Sequence, residues 1–186
     1  MLSSPVWRGG PEAALGAGLL VGAVVSAAGV LVLGSLIRWA AFGFGWLVVY
    51  GACGVLLLRE FRVVSFALPQ NARLIPHTVF RHGPYLGSFE FGFELGTGIR
   101  TYVTSSLPYA VVVAVALVSS PIGAVSTGVG FGLGRLLMTM AAVRYDDPED
   151  RWPSWSDAWD RSAAALQAML SGGFVALLVA AFLLGR

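Results

Sequence analysis

The chain has no lysine, one cysteine and two histidines in 186 residues. Each shortage excludes a class of chemistry. A lone thiol, Cys53, cannot close an internal disulfide, form a CxxC redox pair or supply a cysteine-based zinc site. Twelve basic residues against ten acidic ones leave a net charge of +2 with no dense basic run. Nucleic acid, whose phosphates need clustered cations, is therefore excluded as a partner. His77 and His82 are five apart and do not share a helix face, and neither they nor Met138 and Met140 show a metal-ligand spacing. The HExxH, GxSxG and GxxxxGK[ST] signatures are missing too. The chain does not read as an enzyme, and no cofactor and no metal are implied.

Charge is the next scarcity. Only 12% of the residues are charged, about half the usual share for a soluble domain. Against this, 56% are hydrophobic and the mean hydropathy is +0.76. A soluble fold of this size cannot hide so much apolar surface. The composition points to an all-α, polytopic membrane protein with one membrane domain, multi-pass in the plasma membrane, with the lipid bilayer as its first partner.

At about 20 residues per crossing, apolar runs predict spans at approximately 13–37, 40–58, 89–118, 122–143 and 163–185. The first run is longer than the ~7–15-residue apolar core of a signal peptide and reads as a retained span. The third reads as one long, broken span. Pro108 lacks an N–H and interrupts the helical ladder. A separate crossing by residues 85–102 would make six spans. Ser119, Ser120 and Pro121 form a short turn. The connections 59–88 and 144–162 are expected in the cytoplasm, the former with a surface-lying helix around 61–68. In the latter, Trp152, Trp155 and Trp159 fall on one helix face, suited to the interface or to docking a partner, with Ser156 as N-cap. With the N-terminus cytoplasmic, Arg8, Arg59, Arg62, Arg73, Arg81, Arg144, Arg151 and Arg161 lie inside and only Arg38 and Arg186 outside, as the positive-inside rule requires.

Two segments echo one another: Phe42-Gly43-Phe44-Gly45-Trp46 and Phe131-Gly132-Leu133-Gly134-Arg135, an FGxG core followed by a bulky residue. An internal repeat would account for this, as would chance likeness between glycine-rich membrane helices. The stretch 87–140, with FGFELGTGIRTYVTSSLPY, a short turn and GVGFGLGRLLMTM, resembles the transmembrane family of cytochrome c biogenesis and disulfide-interchange proteins. That resemblance implies two three-helix inverted repeats and a proline-centred helix break. It also implies a redox cysteine beside each breaking proline, and here the chain departs: around Pro108 it reads Ser105-Ser106-Leu107-Pro108-Tyr109, and Cys53 lies elsewhere. The resemblance implies a shared fold; it does not extend to the thiol relay.

Glu90 and Glu94 share a helix face and, with Arg100 and Arg135, place charges at or near membrane depth, where each costs about 2.5–3.5 kcal/mol on insertion scales. They mark a candidate substrate or ion path beside Pro108, with a Glu94–Arg135 ion pair between helices; the alternatives are a purely structural pair and an interfacial position for Glu90 and Glu94. Gly18/Gly22, Gly92/Gly96, Gly128/Gly132 and Gly130/Gly134 are small-xxx-small pairs that permit close helix approach. Two functions are consistent with this pattern. One is permeation of a small solute or ion through a broken-helix site, in a homo-oligomer. The other is a non-catalytic assembly subunit with a membrane-protein partner, docking through Trp152, Trp155 and Trp159.

Overall fold

In the computed structural model, residues 9–39, 43–69, 81–99, 105–145 and 155–184 are described. They form six helices: α1 (Gly10–Arg38), α2 (Gly45–Glu60), α3 (Gly83–Thr97), α4 (Leu107–Leu117), α5 (Pro121–Tyr145) and α6 (Trp155–Leu184). No strand occurs among the described residues. Three stretches are long and apolar enough to cross a membrane: Gly10–Arg38, Pro121–Ala141 and Asp160–Ala180. They overlap the first, fourth and fifth predicted spans.

The other two predicted spans need correction. The second, 40–58, has a shorter helix: α2 starts at Gly45, after Gly43 takes a left-handed turn (φ 82°), and its 16 residues rise only about 24 Å. It stops at Glu60 because a Schellman motif closes it. The Arg62 amide donates to the Arg59 carbonyl (3.0 Å) and the Val63 amide to that of Leu58 (2.9 Å), with Arg62 in the left-handed region at φ 59°. That conformation suits glycine, and arginine holds it at a cost. The predicted helix around 61–68 does not form; turn and extended backbone follow. The span 89–118 is two helices, and the first begins at Gly83, inside the predicted connection 59–88. α3 ends where Gly98 adopts φ 71° and its amide caps back to the Leu95 carbonyl. α4 restarts at Leu107, with Pro108 in its first turn, where a missing N–H costs nothing.

The two pieces lie in line beside α1. Gly18 and Gly22 of α1 face the backbone of Phe89 and Phe93, and Gly92 and Gly96 of α3 face the backbone of Leu15 and Leu19. The numbers rise together, so α1 and α3 are parallel, and the Ser26 hydroxyl ties off the end of α3 on the Thr97 carbonyl (3.1 Å). Further along α1, Gly34 abuts the backbone of Ala116 in α4. α3 therefore accompanies the first half of α1 and α4 the second. α5 runs back along another face of α1, with Gly128 against Val24 and Ala27, Gly132 against Leu20 and Ala23, and Leu136 against Gly16. α1 is thus the hub of the fold, and six of the eight glycines in the predicted small-xxx-small pairs are used on it.

The second cluster joins α2, α4 and α6. Val49, Cys53, Leu56 and Ala110 are its buried centre, with Phe174 and Leu178 of α6 packed against it. Ser120 starts α5 by accepting the Gly123 amide (3.1 Å), so the predicted turn at 119–121 is present. The expected sequence echo is not a structural one: Gly43 to Gly45 form the turn into α2, whereas 131–134 lie inside α5. The connection 144–162 is also shorter than predicted. α5 continues to Tyr145, and α6 is a single helix from Trp155, so Ser156 lies inside it and is not its cap.

Candidate functional site

The break between α3 and α4 is where polar chemistry collects. α4 is an 11-residue, wholly apolar helix about 16 Å long, with a charged side chain from another helix at each end. At its start, the Glu60 carboxylate accepts the Ser106 amide (2.7 Å) and contacts the Ser106 hydroxyl on the same Oε2, while the Gln167 side-chain amide donates to Oε1 (3.0 Å). The Ser106 hydroxyl also lies 2.9 Å from the Leu56 carbonyl. At its far end, Arg38 donates from Nε to the Ala116 carbonyl (2.8 Å) and from an Nη to that of Val115 (2.9 Å). An anionic group at a helix N-terminus and a cation at its C-terminus both oppose the helix dipole. Arg38 also satisfies carbonyls that a helix end leaves without intrahelical partners. α4 is clamped along its axis, from α2 on one side and α1 on the other.

Glu60, Ser106 and Ser171 are all buried, the last two completely. Ser171 lies one turn beyond Gln167 on α6, and its hydroxyl is the one buried side-chain polar atom among the described residues without a hydrogen-bond partner. Cys53 is buried too, seven residues before Glu60 on the same face of α2, against Ala110. Ser105 and Ser106 occupy the place beside Pro108 where the family resemblance implies a cysteine, and Cys53 approaches the same helix from the side.

The residues singled out in sequence are distributed differently. Glu90 pairs with His82 (3.1 Å, Nδ1 to Oε2) near the start of α3. Two turns into α3, its carboxylate reaches back to the exposed His82 just before the helix. Glu94 lies one turn further along; its backbone carbonyl accepts the Thr97 hydroxyl (2.7 Å). Arg135 lies over the Phe131 ring, 5.5 Å from its centroid, and Phe131 touches Gly98. Because α5 runs antiparallel to α3, one turn from this contact on each helix brings Glu94 and Arg135 to a similar level. Pro108 belongs to the first turn of α4. Trp155 and Trp159 fall in the first two turns of α6. Arg100, Trp152 and His77 lie outside the described residues. No three His, Cys, Asp or Glu side chains among the described residues group to hold a metal ion.

Sequence reasoning missed Glu60, Gln167 and the clamping role of Arg38. Ser106 was in view only as a substitute for cysteine. A signal for α4 existed, since Ser followed two residues later by Pro is a helix-start pattern.

No protein-family model matches the chain, and no solved structure matches it. The expected link to the cytochrome c biogenesis family is thus not reproduced. Among curated proteins, the chain is similar to the methylamine utilization protein MauF of Methylorubrum extorquens, with 30% identity over 173 residues. The match covers 89% of this chain and 59% of MauF, so the chain corresponds to well under two thirds of that relative.

Proposed function

We propose that the chain is an integral membrane protein of transporter-like architecture, which passes a small solute or ion at the break in its third span. The observation that carries this reading is the in-line pair of half-helices α3 and α4, whose break falls beside the middle of α1. Discontinuous helices near mid-membrane are the usual construction of transporter sites, because they present helix ends and free backbone groups where a continuous helix has none. In this reading the N-terminus is cytoplasmic and the plasma membrane is crossed several times. Glu94 and Arg135 face each other beside the path, and the small size of the chain is made up by a second copy.

The similarity to MauF favours a second reading. Here the chain is a non-catalytic assembly or partner subunit in methylamine utilization, and its broken span is a packing device. Cysteine labelling separates the two. In a Cys53→Ala background, single Glu94→Cys and Arg135→Cys variants are treated in intact cells with a membrane-impermeant thiol reagent. Transport predicts labelling of at least one, blocked by the solute carried. Silence at both positions, with normal expression of the charge-exchanged Glu94→Arg/Arg135→Glu double variant, overturns the transport reading in favour of the subunit.

A further inference from the structure

Glu60 is the one buried charged-type side chain among the described residues, and it is held as an anion. Burial pushes its carboxyl up, but hydrogen bonds from Ser106, Ser105 and Gln167 outweigh burial and hold it below the usual carboxylate range. None of its contacts among the described residues is a cation. On α2, Arg59 turns away, its Nε donating to the Phe66 carbonyl (2.9 Å) and its guanidinium lying over the Phe66 ring (5.5 Å to the centroid). Beyond it, Arg62 is exposed. On α6, Arg161 lies about two turns before Gln167 and is exposed. A buried carboxylate without a counter-charge is costly, so this junction favours a positive partner.

Oxygen atoms converge on that charge. The Ser106 oxygen contacts both Glu60 Oε2 and the Leu56 carbonyl (2.9 Å), but a hydroxyl carries one proton. With Glu60 ionised, one of these two oxygen–oxygen contacts has no hydrogen in it. A further oxygen comes from α6. Gln167 meets Glu60, and Phe182 meets Tyr50 with ring centroids 5.7 Å apart, so α6 runs antiparallel to α2. Gln167, Ser171, Phe174 and Leu178 repeat at steps of four, three and four, which is one helix face. Phe174 and Leu178 pack on the cluster of Val49, Cys53, Leu56 and Ala110. Ser171, set between them and Gln167, therefore turns to the same junction, level with Leu56. Its hydroxyl is fully buried and has no hydrogen-bond partner among the described residues.

We propose that this junction binds one sodium ion, with Glu60, Ser106 and Ser171 supplying oxygen ligands. The ion takes the place of the Ser106 proton at Oε2, and that proton turns to the Leu56 carbonyl, so both contacts of the Ser106 oxygen are satisfied. The Ser106 amide still donates to Oε2 and Gln167 to Oε1. Ser171 gains a partner, and no net charge is buried. An all-oxygen set suits a hard cation, and a single carboxylate balances one positive charge where calcium would leave an excess. α2 also ends here, and the C-terminal end of a helix favours a cation. The site does not depend on a solute crossing at the break, because Glu94 and Arg135 lie on other helices. In either reading of the protein, the ion would lock α4 to α2 and α6.

Equilibrium unfolding of the full chain in mixed micelles tests it, with sodium chloride exchanged for choline chloride at constant ionic strength. One sodium ion bound to the folded chain alone lowers the unfolding constant about tenfold for each tenfold rise in sodium above its dissociation constant. The wild-type chain is expected to show that dependence. Glu60→Gln, which keeps the side-chain length and removes the charge, is expected to lose it. Ser171→Ala is expected to match the wild type in choline, where its hydroxyl has no partner, and to need roughly tenfold more sodium for the same stabilisation. If Glu60→Gln does not fold, Ser171→Ala carries the test. Wild-type stability that is equal in sodium and in choline overturns the proposal. So does a sodium response that Glu60→Gln or, in its place, Ser171→Ala leaves unchanged.

Discussion

Placing a methyl group on Gly92 or on Gly130 should change stability with opposite sign. A Cβ on Gly92 lands on the Leu15 carbonyl oxygen, and one on Gly18, Gly22 or Gly96 on a backbone carbonyl of the facing helix. Backbone cannot rotate away as a side chain can, so the α1 and α3 axes must part by roughly 1 Å to restore contact distance. Overpacking of this kind costs about 1–3 kcal/mol. One separation relieves all four positions, so the costs should be strongly sub-additive: Gly18→Ala with Gly92→Ala should cost little more than the worse single change. At Gly130 and Gly134 an added Cβ meets nothing within 4 Å. There alanine gains about 0.5–1 kcal/mol from helix propensity alone. Equilibrium unfolding in mixed micelles, read by circular dichroism, measures both sets. Equal effects at Gly92 and Gly130, or full additivity of Gly18→Ala and Gly92→Ala, would refute the reciprocal packing of α1 and α3.

Four further outcomes can be checked, the first three by the same unfolding measurement in sodium-free buffer and the last by thiol labelling. Arg38→Met removes two charge-assisted bonds from the end of α4 and should cost about 1.5–3 kcal/mol; Arg38→Lys, which lacks the planar fork, should recover only part. A loss under about 0.5 kcal/mol for Arg38→Met would mean that water caps those carbonyls equally well. Arg62→Gly relieves the left-handed residue after α2 and should stabilise by about 1 kcal/mol; destabilisation would contradict the Schellman geometry. Ser171→Ala discards a buried hydroxyl with no partner and should be neutral or stabilising by about 1 kcal/mol, whereas a clear loss would reveal a bound water. Cys53, buried against Ala110, should resist even membrane-permeant thiol reagents until the protein unfolds, and rapid modification of the native protein would show that the α2–α4 interface opens.

The sequence carried the parts of this fold that depend on local pattern. Long apolar runs marked α1, α5 and α6, Ser119-Ser120-Pro121 marked a short turn, and glycines four apart marked the close approaches to α1. It did not carry the junction at Glu60. That residue and Ser106 are 46 positions apart, and Glu60 and Gln167 are 107 apart. Each alone has an ordinary local explanation: a charge at a helix end, a serine before a proline, a glutamine in an apolar run. Only the antiparallel placing of α2 beside α4 and α6 makes them neighbours. The second use of Arg38 was hidden for a related reason. A charge after a long apolar run looks like a membrane boundary, and its use as a cap for another helix depends on α4 ending beside it. Pro108 was taken as a defect in one helix, although Ser106 and Pro108 together make the start of a new one.

The division of the third span also bears on how the chain enters a bilayer. At 15 and 11 residues, α3 and α4 each fall short of the roughly 20 that a solitary crossing needs. Their open ends would face lipid with backbone groups unsatisfied. α1 precedes them in the chain and offers both a glycine-notched face for α3 and the Arg38 cap for α4. Under the proposed membrane reading, entry of the middle of this protein is a templated event: the first helix is the surface on which α3 and α4 are assembled, and a fault in α1 is felt first as a failure of insertion 71 to 78 residues downstream.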